Sequence, residues 1–305
     1  MNRFYRVLSE SYIFVMMVAL ACGLFLPATN VLIPWNTLFL QIIFFLSCLK
    51  IDPSQIKSSL KDWKFLLLAN SLMMIGFPLA VWLIVNPFAP NMGLALFLLA
   101  AMPVGMTAPL LVEVVGGKQA IAMVLTVTTS LLAPITIPLI TKWLYGTSIS
   151  VDALGMFRQL ALVIFIPFVL ALLTRKIIPS TVEVIKTKTK PLSILLLGLL
   201  IASAVAKQSH QIRTLSQDGW KLVSIIASLY TFFFVVHLVG YFAFWWKNRA
   251  DKRTASVALT YMNFTLAIFL AAQFFPKPEI LLPLVLSILP WATLLPVWKW
   301  ASKKL

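Results

Sequence analysis

The sequence predicts an all-α polytopic membrane protein, and three observations predict it. Of its 305 residues, 61% are hydrophobic and only 11% are charged, where a soluble domain carries about 25% charged residues. The mean hydropathy is +0.96. The apolar residues fall in long continuous runs rather than the short alternating stretches of a transmembrane barrel, so the spans are helical.

A membrane helix needs about 20 apolar residues. Runs of that kind lie at 10–28, 33–50, 63–85, 92–115, 119–144, 157–175, 190–207, 220–246, 254–274 and 279–298. Ten spans place both termini on one side. With the N-terminus cytoplasmic, 19 of the 25 Lys and Arg residues fall in inner segments and 6 in outer ones, the asymmetry of a protein inserted that way round. The expectation is a multi-pass protein of the cell's inner membrane with both termini cytoplasmic. The same bias accounts for the net charge of +16 without nucleic acid, and leaves only generic contact with anionic lipids. Arg3 and Arg6 precede the first apolar run, but that run has no small-x-small cleavage site and more spans follow. It reads as a first helix rather than a signal peptide. Cys22 and Cys48 lie in apolar segments as buried free thiols. The loops near 176–190 and 207–219 are too short to fold alone, so residues 1–305 are read as a single transmembrane domain, a monomer or weak homo-oligomer.

The fourth span is interrupted. Residues 101–120 read AMPVGMTAPLLVEVVGGKQA, with Pro103, Gly105 and Pro109 at mid-depth. A proline inside a helix removes a hydrogen bond and clashes with the preceding turn. Non-helical backbone at that depth is tolerated only where it is buried in protein or lines a water-filled cavity. Discontinuous helices of this kind hold cargo and coupling ions in many secondary transporters. A simple proline kink is the plainer alternative, since Pro78, Pro134, Pro138, Pro167, Pro283, Pro290 and Pro296 also lie within spans.

Ten spans divide as five plus five, the pattern of two inverted repeats. The counterpart of the fourth span is then the ninth, SVALTYMNFTLAIFLAA at 256–272. It lacks Gly and Pro but carries Thr260, Asn263 and Thr265. A buried amide must be bonded, so Asn263 either bonds a neighbouring helix or contacts a ligand.

The stretch MPVGMTAPLLVEVVGGKQAIAMVLTVTTSLLAPITIP at 102–138 resembles the bile acid:sodium symporter family. Pro103, Gly105, Gly117, Thr126, Pro134 and Pro138 fit its pattern without a gap. LKIDPSQIKSSLKDWK at 49–64 and RADKRTASVALTYMNFTLA at 249–267 resemble two further segments of the family, so the likeness runs over essentially the whole chain. The resemblance implies a ten-helix fold with a panel domain of spans 1, 2, 6 and 7 and a core domain of spans 3, 4, 5, 8, 9 and 10. Spans 4 and 9 would unwind and cross in the core. It implies alternating-access transport of a small organic anion, bile-acid-like or a carboxylate metabolite. The cargo would sit near the crossing, at Val104, Gly105, Thr107, Ala108, Pro109, Thr260 and Asn263.

The family's sodium ligands are mostly replaced. Positions that resemble its fourth-span Ser and Asn are Ala108 and Pro109. Those of the fifth span are Ala122 and Thr126, those of the ninth Ala258, Met262 and Asn263, and the third-span Gln is Met73. Only Thr126 and Asn263 keep oxygen side chains. A hard cation needs oxygen ligands in place of its hydration shell, so the expectation is no cofactor and no sodium coupling of the family's type. Two titratable groups could couple transport instead. Glu113 lies near the inner end of the fourth span, and either pairs with Lys118 or serves as a proton site or gate. His237, mid-span in the eighth, either bonds a neighbour or acts as a proton switch.

The alternatives are a proton-coupled or uncoupled facilitator, or a channel or non-transporting sensor on the same fold. A channel would need a continuous polar stripe through several helices, and none is visible in the sequence. No metal-spaced His/Cys cluster or phosphate-cradling glycine loop points to an enzyme.

Overall fold

The computed structural model describes residues 12–50 and 62–305. Arg3, Arg6 and most of the segment 49–64 lie outside the described residues.

In chain order the helices are α1 (Tyr12–Phe25), a 3-10 segment (Pro27–Trp35) running into α2 (Asn36–Cys48), and α3 (Trp63–Ser71). A π-helical turn (Leu72–Gly76) joins α3 to α4 (Phe77–Val85). Then come α5 (Pro90–Ala100), α6 (Ala108–Val114), α7 (Gln119–Tyr145), α8 (Ala153–Ile177), α9 (Pro179–Ala206) and α10 (Ser209–Ser216). The chain ends with α11 (Gly219–Phe242), α12 (Arg249–Thr260), α13 (Phe264–Phe274), α14 (Pro278–Leu286) and α15 (Ile288–Lys304). Among the described residues the only strand-like pairing is one isolated antiparallel bridge, Val104 with Met262.

Among the described residues, seven helical stretches are long and apolar enough to cross a membrane. The expected first, fourth and ninth spans carry shorter apolar helices, Phe14–Phe25, Pro90–Ala100 and Phe264–Phe274. The chain is a multi-pass membrane protein.

Local chemistry sets the helix ends. Asp152 Oδ1 accepts from Gly155 N at 2.8 Å and Asp218 Oδ1 from Lys221 N at 3.1 Å, so α8 and α11 begin with side-chain caps. Arg175 and Lys176 close α8, and Lys303 and Lys304 close α15, where positive charge suits the helix dipole. The π turn has a proline origin. Pro78 has no N–H, and the amide of Phe77 reaches back five residues to Leu72 O.

Two expected loops are corrected. Residues 176–190 are not a loop, because α9 starts at Pro179 and runs unbroken to Ala206. Proline in the first helical turn is favourable, and the Lys/Thr-rich first half carries no hydrophobic signal to betray a helix. The loop 207–219 contains α10, a short helix packed on α1 and α14. Pro134 and Pro138 stay inside the continuous α7, so there the plain kink reading holds.

Helix α9 packs along α1 and α2, and α8 along α2 and α7. Elsewhere α11 packs on α12, α5 on α4 and α14, and α6 on α7 and α12. One buried cluster runs through these contacts, including Leu99, Val104, Ala108, Leu125, Ala258 and Leu281. Large apolar side chains such as Phe14, Leu139, Leu170 and Trp220 point outward, as expected of surfaces that face lipid.

Candidate functional site: a crossing of two interrupted helices

The expected break in the fourth span is present. Helix α5 stops at Ala100, α6 starts at Ala108, and residues 101–107 between them are not helical. The ninth span is interrupted as well. Helix α12 ends at Thr260, α13 begins at Phe264, and Tyr261, Met262 and Asn263 lie between. The two breaks meet. Gly105 N donates to Tyr261 O at 2.8 Å, and Asn263 N donates to Pro103 O at 2.8 Å. Four groups freed by the breaks are thus paired across the junction, as unwound backbone away from water requires.

Two neighbours complete the junction. Gly105 allows the approach, because a Cβ there would stand 2.7 Å from Tyr261 O. Thr129 of α7 satisfies a further amide, that of Val104. Its Oγ1 accepts from Val104 N at 3.1 Å while donating to Leu125 O at 2.6 Å. Sequence reasoning passed over Thr129, since a threonine in an apolar helix ordinarily bonds its own preceding turn. Thr129→Val is expected to strand the Val104 amide and cost about 2 kcal/mol, while Thr129→Ser keeps the acceptor. Melting temperatures of the two variants compare them, and equal values would remove Thr129 from the junction.

The other candidate side chains fall as follows. Asn263 is half-buried and caps α13, its Oδ1 accepting from Leu266 N at 3.1 Å. The cap leaves its Nδ2 without a partner among the described residues. Thr107 is exposed at the start of α6, whereas Ala108 and Pro109 are buried. Thr260 is fully buried and its hydroxyl donates to Ser256 O at 2.8 Å, so it points along its own helix. Thr126 does the same with Ala122 O at 2.9 Å and is 2% exposed.

Glu113 is exposed on α6 and does not pair with Lys118. The Lys118 ammonium instead meets the buried Asp251 carboxylate at 2.8 Å. The segment Asp251 to Thr254 ties the inner surface together. Lys252 lies over the Tyr241 ring, Arg253 Nη2 donates to Ser302 O at 2.8 Å, and Thr254 Oγ1 accepts from Lys118 N at 2.7 Å. The Gly-Gly-Lys turn is a helix stop. Gly116 takes φ +77°, Gly117 N donates to Val112 O at 2.8 Å, and Gly116 N donates to Glu113 O at 2.9 Å, the Schellman pattern.

His237 is 1% exposed. Ser256 Oγ gives its single proton to His237 O at 2.8 Å, so at 3.1 Å from Nδ1 it can only accept. Nδ1 is therefore the donor in this bond. The ring stacks on Trp298 at 4.6 Å and meets Tyr261 edge-on at 5.5 Å. This is the bond to a neighbouring helix, and it fixes α12 just before the break.

Interrupted helices that meet inside a multi-pass chain are a feature of many secondary transporters. The model of the SBF-like CPA transporter family matches residues 10–290, and the chain belongs to that family. The match bears out the resemblance to the bile acid:sodium symporters, a family of transporters and not of enzymes. Among curated relatives, the probable chloroplastic sodium/metabolite cotransporter BASS2 of Oryza sativa subsp. japonica is 25% identical over 70% of this chain and 50% of its own. The chloroplastic BASS5 of Oryza sativa subsp. indica is 26% identical over 55% of this chain and 42% of its own. Sodium/bile acid cotransporter 7 of Danio rerio is 25% identical over 53% and 50%. The chain thus spans about half the length of the curated relatives it matches.

Proposed function

We propose that this chain is a secondary transporter of small organic anions that works by alternating access without the family's two sodium sites. The observation that carries the reading is the reciprocal bond pair at the crossing. Gly105 to Tyr261 and Asn263 to Pro103 exchange under a shift of 158 residues. The same shift brings α7, Gln119–Tyr145, onto 277–303, the stretch of α14 and α15. That register supports two inverted repeats within ten spans, with panel spans 1, 2, 6 and 7 and core spans 3, 4, 5, 8, 9 and 10. The whole chain, 1–305, is one transporter domain in the inner membrane with cytoplasmic termini, a monomer or weak homo-oligomer.

Cargo would lie at the crossing against Val104, Gly105, Thr107, Ala108, Pro109, Thr260 and Asn263. Asn263 Nδ2 is the polar group best placed to hold a carboxylate oxygen. Burial argues against sodium. Ala108, Ala122 and Ala258 are at most 1% exposed, and Met73 and Met262 are each 3% exposed. An ion at those positions would meet packed carbon and sulfur. The carrier is then proton-coupled or uncoupled.

The test is thermal stability in nanodiscs with small carboxylates such as pyruvate, pantoate and taurocholate, each in sodium and in choline buffer. A ligand at 100 times its dissociation constant adds about 2.7 kcal/mol. The expected result is a rise with at least one carboxylate, equal in both buffers and lost in Asn263→Ala. A rise that requires sodium would overturn the coupling, and a rise that survives Asn263→Ala would overturn the site.

A further inference from the structure

The two half-helices that leave the crossing are unequally covered. In α13, every residue from Phe264 to Ala271 is at most 8% exposed, and the helix packs on α2 and α9. In α6, only Ala108, Pro109 and Val112 are buried, and its main contacts are α7 and α12. Its other face is open, with Leu110 54% and Val114 48% exposed beside Thr107 and Glu113. The 158-residue shift sets Leu110 against Ile268 and Glu113 against Ala271, both 0% exposed. With the lysine-rich side cytoplasmic, the outer half-helix is seated on α2 and α9 and the inner one is not.

We propose that α6 is a cytoplasmic gate. In the opposite state its open face docks on the inner ends of α2 and α9, and Glu113 closes the gate by pairing with Lys50 and Lys190. This rests on the transporter reading above, because it assigns the seating of α13 and the opening of α6 to one state of an alternating cycle.

Charge argues for the pairing. Docking Leu110 and Val114 carries the Glu113 carboxylate under cover, and an unpaired buried charge costs several kcal/mol. Three cations next to α6 or on α12 are already engaged, while Arg249 stands exposed at the first residue of α12. Lys118 is held by Asp251, Arg253 by Ser302 O, and Lys252 lies over Tyr241. The inner ends of α2 and α9, where the open face of α6 would dock, carry two ammonium groups. Lys50 follows the last turn of α2, and Lys190 stands at the inner edge of the apolar stretch Thr189–Ala206. Partial burial and then the neighbouring Lys190 hold Lys50 below the ordinary lysine range. Among the described residues neither lysine has an acidic partner, so a carboxylate arriving between them relieves repulsion on one side and desolvation on the other.

The test needs no cargo. A reporter cysteine, Leu110→Cys, is placed in a Cys22→Ser, Cys48→Ser background. Its labelling by a membrane-impermeant maleimide is followed from the cytoplasmic side of inside-out vesicles. Removing the pair with Glu113→Gln or reversing it with Glu113→Lys is expected to speed labelling about fivefold, the population shift of one partly exposed ion pair. Adding Lys50→Glu and Lys190→Glu to Glu113→Lys is expected to restore the original rate. A disulfide between Glu113→Cys and Lys190→Cys, made without the reporter, is expected on mild oxidation. Slower labelling of Glu113→Gln would overturn the ion pair in favour of closure by protonation. Failure of the swap to restore labelling in protein of unchanged melting temperature, or no disulfide, would overturn the docking. A chain that binds no carboxylate yet shows the swap loses its cargo reading and keeps its gate.

Discussion

Gly105→Ala is expected to lower the melting temperature of the purified protein by at least about 5 °C and to abolish ligand-induced stabilisation. The added methyl would sit 2.7 Å from Tyr261 O and 3.2 Å from Met262 O. Both are backbone atoms, which cannot rotate away as a flexible side chain could. The chains must separate, and overpacking of that kind costs about 1–3 kcal/mol. Separation also releases the Gly105 amide and the Pro103 carbonyl at the core of the molecule, each costing about 1–3 kcal/mol unpaired. Gly198→Ala is the control, since its methyl would meet only Val15 and Ala19 side chains at 3.5 and 3.6 Å. If both variants melt together, the two breaks do not approach as described.

The second large effect is expected at Lys118. Asp251 is 3% exposed at its side chain and Lys118 is 44% exposed. Lys118→Met strands a buried carboxylate whose remaining help is Asn248 Nδ2 at 2.7 Å and the first turn of α12. The expected loss is about 3 kcal/mol. Asp251→Asn should cost less, about 1 kcal/mol, because the half-exposed ammonium can turn to water. The double variant Lys118→Met with Asp251→Leu should recover part of the larger loss, since replacing both partners leaves no uncompensated charge. Thermal melts of the four proteins form the cycle. Equal losses for the two single variants would mean that the carboxylate is not desolvated.

The fourth-span break was legible in Pro103, Gly105 and Pro109. Proline alone did not decide it, for Pro134 and Pro138 sit inside an unbroken α7. The difference is an opposing chain that offers replacement hydrogen bonds, and no local pattern reports that. The ninth-span break has neither Gly nor Pro. Its cue was Asn263, a residue type that favours the first position of a helix, yet in an apolar run it read as a ligand or a helix-to-helix bond. Glu113 and Lys118 are neighbours in sequence, which suggested a local pair. Asp251 lies far along the chain and claims the lysine through tertiary packing. The helical first half of α9 was hidden because its polar run carries no apolar stripe.

The junction between the interrupted helices is written in peptide groups, which every amino acid carries. Apart from Gly105 and the Thr129 hydroxyl, its bonds make no demand on side-chain identity. A scaffold of that sort can exchange its ion-binding residues by point substitution without losing its architecture. Ala108, Ala258 and Met262 are packed around an intact crossing, as the proposed loss of the sodium sites requires.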